Sequence, residues 1–141
     1  MASFEELFAA ASAARKRAHA PYSKFAVGAA LVDEAGRIHS GANIENASYP
    51  EGWCAETSAI AHLVMAGGRR IAAVCVVAPR IPRDRFCTPC GGCRQRLAEF
   101  GAADTEVIVA DPAGANFRTT LGALLPEAFG LDPGRPLAAE A

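Results

Sequence analysis

The chain has 141 residues, 51% of them hydrophobic and 21% charged, with a formal net charge of −1. That length can bury a full core without disulfides. The near-neutral charge balance, with no basic stripe in the sequence, argues against a nucleic-acid-binding surface, so no nucleic-acid partner is expected.

Ser3-Phe4-Glu5-Glu6 reads as a capping box, and Leu7, Phe8, Ala11 and Ala14 continue at helical spacing. This first helix is expected to end near His19, because Pro21 follows. Residues 25–32 read as a strand, Asp33-Glu34-Ala35-Gly36 as a hairpin turn, and residues 37–43 as its partner. A loop over 44–53, carrying Pro50 and Gly52, feeds a helix over 54–66 that Gly67-Gly68 stops. That glycine pair lacks the lysine and spacing of a phosphate loop. Residues 71–78 form a continuous apolar run, the pattern of a strand covered on both faces.

A Pro- and Arg-rich loop over 79–88 leads to Pro89, which suits the first turn of a helix reaching Phe100. A strand over 106–110, a turn over 111–114, a short strand over 116–118 and a short helix over 120–125 complete the pattern. The tail from Asp132 is expected to fray. The order α-β-β-α-β-α-β-β-α predicts a single α/β domain over residues 1–141, with a mixed sheet and no internal repeats. Arg15-Lys16-Arg17, Arg69-Arg70 and Arg83-Asp84-Arg85 read as solvated faces and turns.

The acidic residues 1–7 lack the apolar region of a secretion signal, and no apolar run reaches the length of a membrane span. Five cysteines in that setting fit metal or redox chemistry in a reducing cytoplasm better than a disulfide framework. We therefore expect a cytoplasmic protein with no membrane partner.

Two stretches carry the chemistry: Cys54-Ala55-Glu56 and Pro89-Cys90-Gly91-Gly92-Cys93. Cys90 and Cys93 are three apart at a predicted helix start, so their side chains share one face. Cys54 opens another predicted helix, and the free N–H groups at a helix N-terminus favour thiolates. Three thiolates on one zinc ion leave a fourth position open to water, the mark of a catalytic site. Glu56, two residues after Cys54, can take a proton from that water without ligating the metal. The reaction this allows is hydrolytic deamination, in which water displaces ammonia from an amidine-like carbon. The alternative is a closed structural site that adds Cys87, spaced Cys87-x-x-Cys90-x-x-Cys93, which leaves Glu56 without a role. Cys75 reads as a small core hydrophobe inside the buried strand. His19, His39 and His62 match no ligand position and read as surface or satisfied core histidines.

The pairing of Cys-Ala-Glu with Pro-Cys-x-x-Cys is the pattern of zinc deaminases, and nearly the whole chain resembles a small, homotetrameric cytidine deaminase. The segments that carry the likeness are Pro21-Tyr22-Ser23-Lys24-Phe25-Ala26-Val27-Gly28-Ala29-Ala30, Gly41-Ala42-Asn43-Ile44-Glu45-Asn46-Ala47-Ser48-Tyr49, residues 89–100, and Leu124-Leu125-Pro126-Glu127-Ala128-Phe129. The resemblance implies a three-layer α/β/α fold with a mixed central sheet of about five strands. It implies one zinc per subunit on Cys54, Cys90 and Cys93, with Glu56 as proton shuttle. It further implies that Asn43 and Glu45 bind sugar hydroxyls, that Phe25 packs beside the nucleoside, and that the Ala55 backbone reads the pyrimidine edge. Tyr49 and Phe129 would reach a neighbouring subunit's pocket in a homotetramer with shared sites. Free cytidine and 2′-deoxycytidine in pyrimidine salvage are the expected substrates; another small amine, such as a nucleoside antibiotic, is the alternative. Trp53 would line the pocket or an interface.

One departure stands out. Many relatives carry an arginine directly after the catalytic glutamate, and here that residue is Thr57. Three thiolates on Zn²⁺ leave a net charge of about −1, so the helix N-termini, or a further cation such as Arg94, must carry the compensation.

Overall fold

The computed structural model describes residues 2–131, so the expectation for the tail from Asp132 lies outside the described residues. The elements run α1 (Phe4–Arg15), β1 (Gly28–Asp33), β2 (Ile38–Ala42), a 3₁₀ turn (Tyr49–Glu51), α2 (Ala55–Met65), β3 (Ile71–Val77), α3 (Gly91–Phe100), β4 (Glu106–Ala110), β5 (Asn116–Thr120) and α4 (Leu121–Leu124). The five strands form one mixed sheet in the order β2-β1-β3-β4-β5. Only the β3–β4 pair is parallel; β1 runs antiparallel to both β2 and β3, and β5 antiparallel to β4.

Alternation along the central strands builds a core on each face, because successive side chains point to opposite sides. Ala30 and Val32, Cys75 and Val77, Ile108 and Ala110 meet Leu7 and Ala11 of α1. Ala29 and Leu31, Val74 and Val76, Val107 and Val109 meet Ala59 and Leu63 of α2 and Leu97 of α3. The result is the expected three-layer α/β/α arrangement. Two glycines let the helices seat closely. A Cβ on Gly28 would lie 1.9 Å from the Ala11 carbonyl oxygen of α1, and one on Gly41 would lie 2.4 Å from the Ala59 nitrogen of α2.

The topology aims the two functional helices at one place. Since β2 and β3 are each antiparallel to β1, they run in the same direction, and their C-terminal ends share one end of the sheet. The chain enters α2 after β2 and α3 after β3, so both helix N-termini begin at that end.

The capping box forms as expected. Ser3 N–H donates to Glu6 Oε2 at 2.7 Å, and Glu6 N–H donates to Ser3 Oγ at 3.2 Å. Helix α1 stops at Arg15, before His19, because His19 leaves to pair with a neighbouring segment. Its N–H donates to Asn43 O, and its carbonyl accepts from Glu45 N–H. The first strand begins at Gly28 and not at Phe25, because the Asn43 side chain takes the place of a ladder partner there. Val27 N–H donates to Asn43 Oδ1 at 2.9 Å, and Asn43 Nδ2 donates to Phe25 O at 2.8 Å.

At the opposite end of the sheet, the β1–β2 hairpin turns around the buried carboxylate of Asp33. It accepts from Ala35 N–H (2.9 Å), Arg37 N–H (2.9 Å), Arg37 Nε (2.7 Å) and His39 Nε2 (2.8 Å). These hydrogen bonds, the one from His39 foremost, outweigh burial and hold the Asp33 carboxyl well below the usual carboxylate range. Glu34 ties the same turn to the start of β3 by accepting from the Arg69 and Arg70 N–H groups. His39 is thus a satisfied core histidine, while the exposed His62 bonds the Ser40 carbonyl through Nδ1.

Candidate metal centre

Cys54 is the N-cap of α2 and Cys90 the N-cap of α3, both with extended backbone and neither making a side-chain capping bond. The first-turn N–H groups therefore face the thiols without a competing cap, and the positive ends of both helix dipoles favour negative sulfur. Pro89 falls before the N-cap, outside the helix where it was expected. Cys90 and Cys93 still converge, because an N-cap side chain and the residue three on meet at a helix start, as in a capping box. The Sγ atoms of Cys54, Cys90 and Cys93 all lie within 4.8 Å of one another. Three soft sulfur donors on a shared centre suit zinc, and a three-ligand set leaves a coordination position open. Cys87 is not in this group. Its half-buried thiol is pushed up, first by burial and then by Glu56 and Cys90.

Glu56 stands in the first turn of α2 and is 5% exposed. Among the described residues its one hydrogen bond to another side chain is with the Cys93 thiol, which donates to Oε2 across 3.5 Å. Burial raises the Glu56 carboxyl above its usual range, against weaker opposing effects from its own backbone N–H, Cys93 and Arg96. The neighbouring Cys93 thiol holds the Cys54 thiol well below its ordinary value, while Cys93 is itself held above its own. Thr57 Oγ1 lies 4.0 Å from Cys93 Sγ, so the hydroxyl reaches the cluster as a weak partner. Cys75 is sealed in the core, with its thiol pushed up to about 12 by burial.

Arg94, one of the alternative sources of compensating charge, commits its hydrogen bonds elsewhere. Its guanidinium donates to Pro89 O (2.7 Å), Leu124 O (2.8 Å) and Thr88 Oγ1 (3.1 Å), bracing α3 against the loop before it and the turn after α4. The cation whose charge is felt at Cys54 and Glu56 is Arg96, which lies within the 89–100 segment but had no role assigned from the sequence.

Beside Cys54 opens a cleft of about 480 Å³ that brings Asn43, Glu45 and Tyr49 together with Tyr22, Ser23 and Trp53. Trp53 and Ile44 exchange N–H···O bonds of 2.8 Å in both directions, which carries the chain up to Cys54 and sets the indole at the cleft. Glu45 is a latch as well as a cleft residue. Its Oε1 accepts from Tyr22 N–H (3.0 Å) and Ser23 N–H (3.1 Å), and Oε2 accepts from the Ser23 hydroxyl. These bonds, the Ser23 hydroxyl first, lower its carboxyl from the usual value. Phe25 is half-buried, and its N–H donates to Ser23 Oγ at 3.0 Å. Ala55 is buried at the first position of α2. Tyr49 and Phe129 are 76% and 70% exposed, and Phe129 does not line its own chain's cleft. The Ser23–Glu45 latch had no sequence signal, because the two residues lie 22 positions apart.

Residues 1–110 match the family model of the cytidine and deoxycytidylate deaminase zinc-binding region. A cytidine deaminase of Sporosarcina psychrophila is 43% identical over 125 residues, covering 89% of this chain and 90% of that one. One from Halalkalibacterium halodurans is 45% identical over 116 residues, 82% of this chain and 86% of its own. Among solved structures, the cytidine deaminase of Burkholderia pseudomallei superposes with a TM-score of 0.84 at 42% identity, over 91% of this chain and all (100%) of that one. The Mycobacterium tuberculosis enzyme gives 0.77 at 37% identity, over 93% and 100%.

Proposed function

This chain belongs to the zinc-dependent cytidine deaminase family, and on that premise we propose that it hydrolyses both cytidine and 2′-deoxycytidine in cytoplasmic pyrimidine salvage. Each turnover consumes one water and yields uridine or 2′-deoxyuridine and ammonia. The observation that carries this reading is a 5%-exposed carboxylate, Glu56, beside three converged sulfurs.

In this reading Cys54, Cys90 and Cys93 hold the zinc, which when bound supplies the Lewis acidity that makes water a nucleophile at neutral pH. Glu56 accepts the proton water gives up, delivers it to the pyrimidine ring nitrogen, and then serves the departing amine. Its raised affinity for a proton, caused by burial, suits a group that must take and return one near neutrality.

Asn43 and Glu45 retain capacity for a sugar despite their internal bonds. An amide nitrogen has two protons, and Asn43 Nδ2 commits one to Phe25 O. A carboxylate offers about four acceptor positions, and Glu45 commits three, leaving one on Oε2. A free N–H and a free acceptor lone pair suit the 3′-hydroxyl that ribose and deoxyribose share. Phe25 packs beside the nucleoside, and the Ala55 backbone at the start of α2 reads the pyrimidine edge. The exposed Tyr49 and Phe129 complete the pocket of a neighbouring subunit in a homotetramer.

Loss of cytosine absorbance should be followed with cytidine, 2′-deoxycytidine and a cytosine-containing single-stranded oligonucleotide. The two nucleosides are expected to turn over at comparable rates and the oligonucleotide not at all. Turnover of the oligonucleotide, or of neither nucleoside, would overturn the assignment of free nucleosides as substrates.

A further inference from the structure

Three thiolates around a divalent metal leave an excess negative charge of about one, and an ionised Glu56 beside them adds to it. Helix N-termini offset part of this. The residue following Glu56 is the uncharged Thr57, and the guanidinium of Arg94 is committed to Pro89, Leu124 and Thr88.

Arg96 sits differently. Its side chain folds back along α3 toward the helix N-terminus. There Nη1 lies 3.1 Å, and Cζ 3.9 Å, from where a Cβ on Gly92 would stand. Gly92 falls between Cys90 and Cys93, and its missing side chain leaves the space the guanidinium uses. The Arg96 guanidinium makes no hydrogen bond and no ion pair with any described residue. A cation at a helix N-terminus opposes the macrodipole, a cost that is offset by nearby negative charge. The thiol cluster and Glu56 supply it.

We propose that Arg96, folded over Gly92, is a positioning residue of the metal centre, whose guanidinium balances the excess charge of the zinc–thiolate cluster and strengthens metal retention. The proposal rests on Cys54, Cys90 and Cys93 being the zinc ligands. It assigns this function to a residue exposed on α3.

The test is competition for zinc between the purified holoenzyme and a chromophoric chelator, run on wild type, Arg96→Lys, Arg96→Gln and Cys90→Ser at low and high salt. Arg96→Gln is expected to weaken zinc retention about three- to fivefold at low salt, the scale of one exposed charge interaction. Arg96→Lys, which keeps the charge, should stay close to wild type. The difference should shrink at about 1 M salt, where screening acts within about 3 Å. Equal retention in wild type and Arg96→Gln would overturn the proposal, as would a defect shared by Arg96→Lys or one that salt does not move. If wild type held no more zinc than Cys90→Ser, the metal-site assignment would fall and the proposal with it. Retention lost in Cys90→Ser but unchanged in Arg96→Gln would overturn the proposal alone.

Discussion

Two buried carboxylates at opposite ends of one sheet meet opposite fates. Asp33 is 1% exposed and Glu56 is 5% exposed, so both lie out of water. Asp33 is surrounded by donors from Ala35, Arg37 and His39, and its proton is easily lost. Glu56 has the Cys93 thiol and little else, and burial makes its proton hard to remove. Burial alone therefore does not decide what a carboxylate does. The donors around it do: a full set makes it a structural clasp, and a sparse set leaves it free to exchange a proton.

Removing the thiol that Glu56 touches should have the largest effect. Cys93→Ser is expected to lose bound zinc, measured by metal analysis of the purified protein, and turnover with it. Retained stoichiometric zinc in that variant would detach Cys93 from the centre.

Asp33→Asn should do the converse. It leaves Arg37 and His39 without their carboxylate, so the melting temperature should fall by several degrees while turnover at 25 °C persists. The sign of the pH dependence follows from the lowered proton affinity of Asp33. Its stabilising effect is complete above the ordinary aspartate value of about 3.9 and is lost as acid takes the pH down through the lowered folded value. Thermal melts of wild type and Asp33→Asn should therefore differ most near neutrality and converge in strong acid. A constant difference across that range would show that the Asp33 charge does not stabilise the hairpin.

Glu56→Gln should sharpen the contrast with a smaller, opposite shift. Taking a poorly partnered charge out of a buried site removes a desolvation cost, so the metal-free variant should melt slightly above metal-free wild type. A lower melting temperature would mean that Glu56, like Asp33, holds the fold together. Thr57→Arg should change least, leaving the fold intact and the zinc content unaltered by circular dichroism and metal analysis. A collapse of zinc content there would show that the hydroxyl near Cys93 matters more than its 4.0 Å separation suggests.

The same contrast explains what the sequence made legible. Local signals predicted local structure: the Ser3–Glu6 box capped α1, and the run from Ile71 became a strand buried in the sheet. The convergence of Cys54, Cys90 and Cys93 was legible because they fall at helix starts, which punctuation such as Pro89 marks even though it lies one step outside the helix. Interactions between distant segments were not legible. The strand predicted from Phe25 begins later because the Asn43 amide replaces a backbone partner, and α1 stops early because His19 pairs with the segment around Ile44. The sequence offered Arg94 as one candidate for a compensating cation, beside the helix N-termini. Two residues, about half a turn of helix, decide otherwise, carrying Arg94 toward Leu124 and Arg96 back toward Gly92.

The most direct test of the account is the loss of cytidine absorbance on mixing with purified protein, run beside Glu56→Ala with zinc assayed in both. The account predicts turnover by wild type, and at least about a 10²- to 10⁴-fold loss in a mutant that still carries its zinc. A zinc-replete Glu56→Ala that deaminates cytidine at the wild-type rate would contradict the role of this carboxylate as proton carrier.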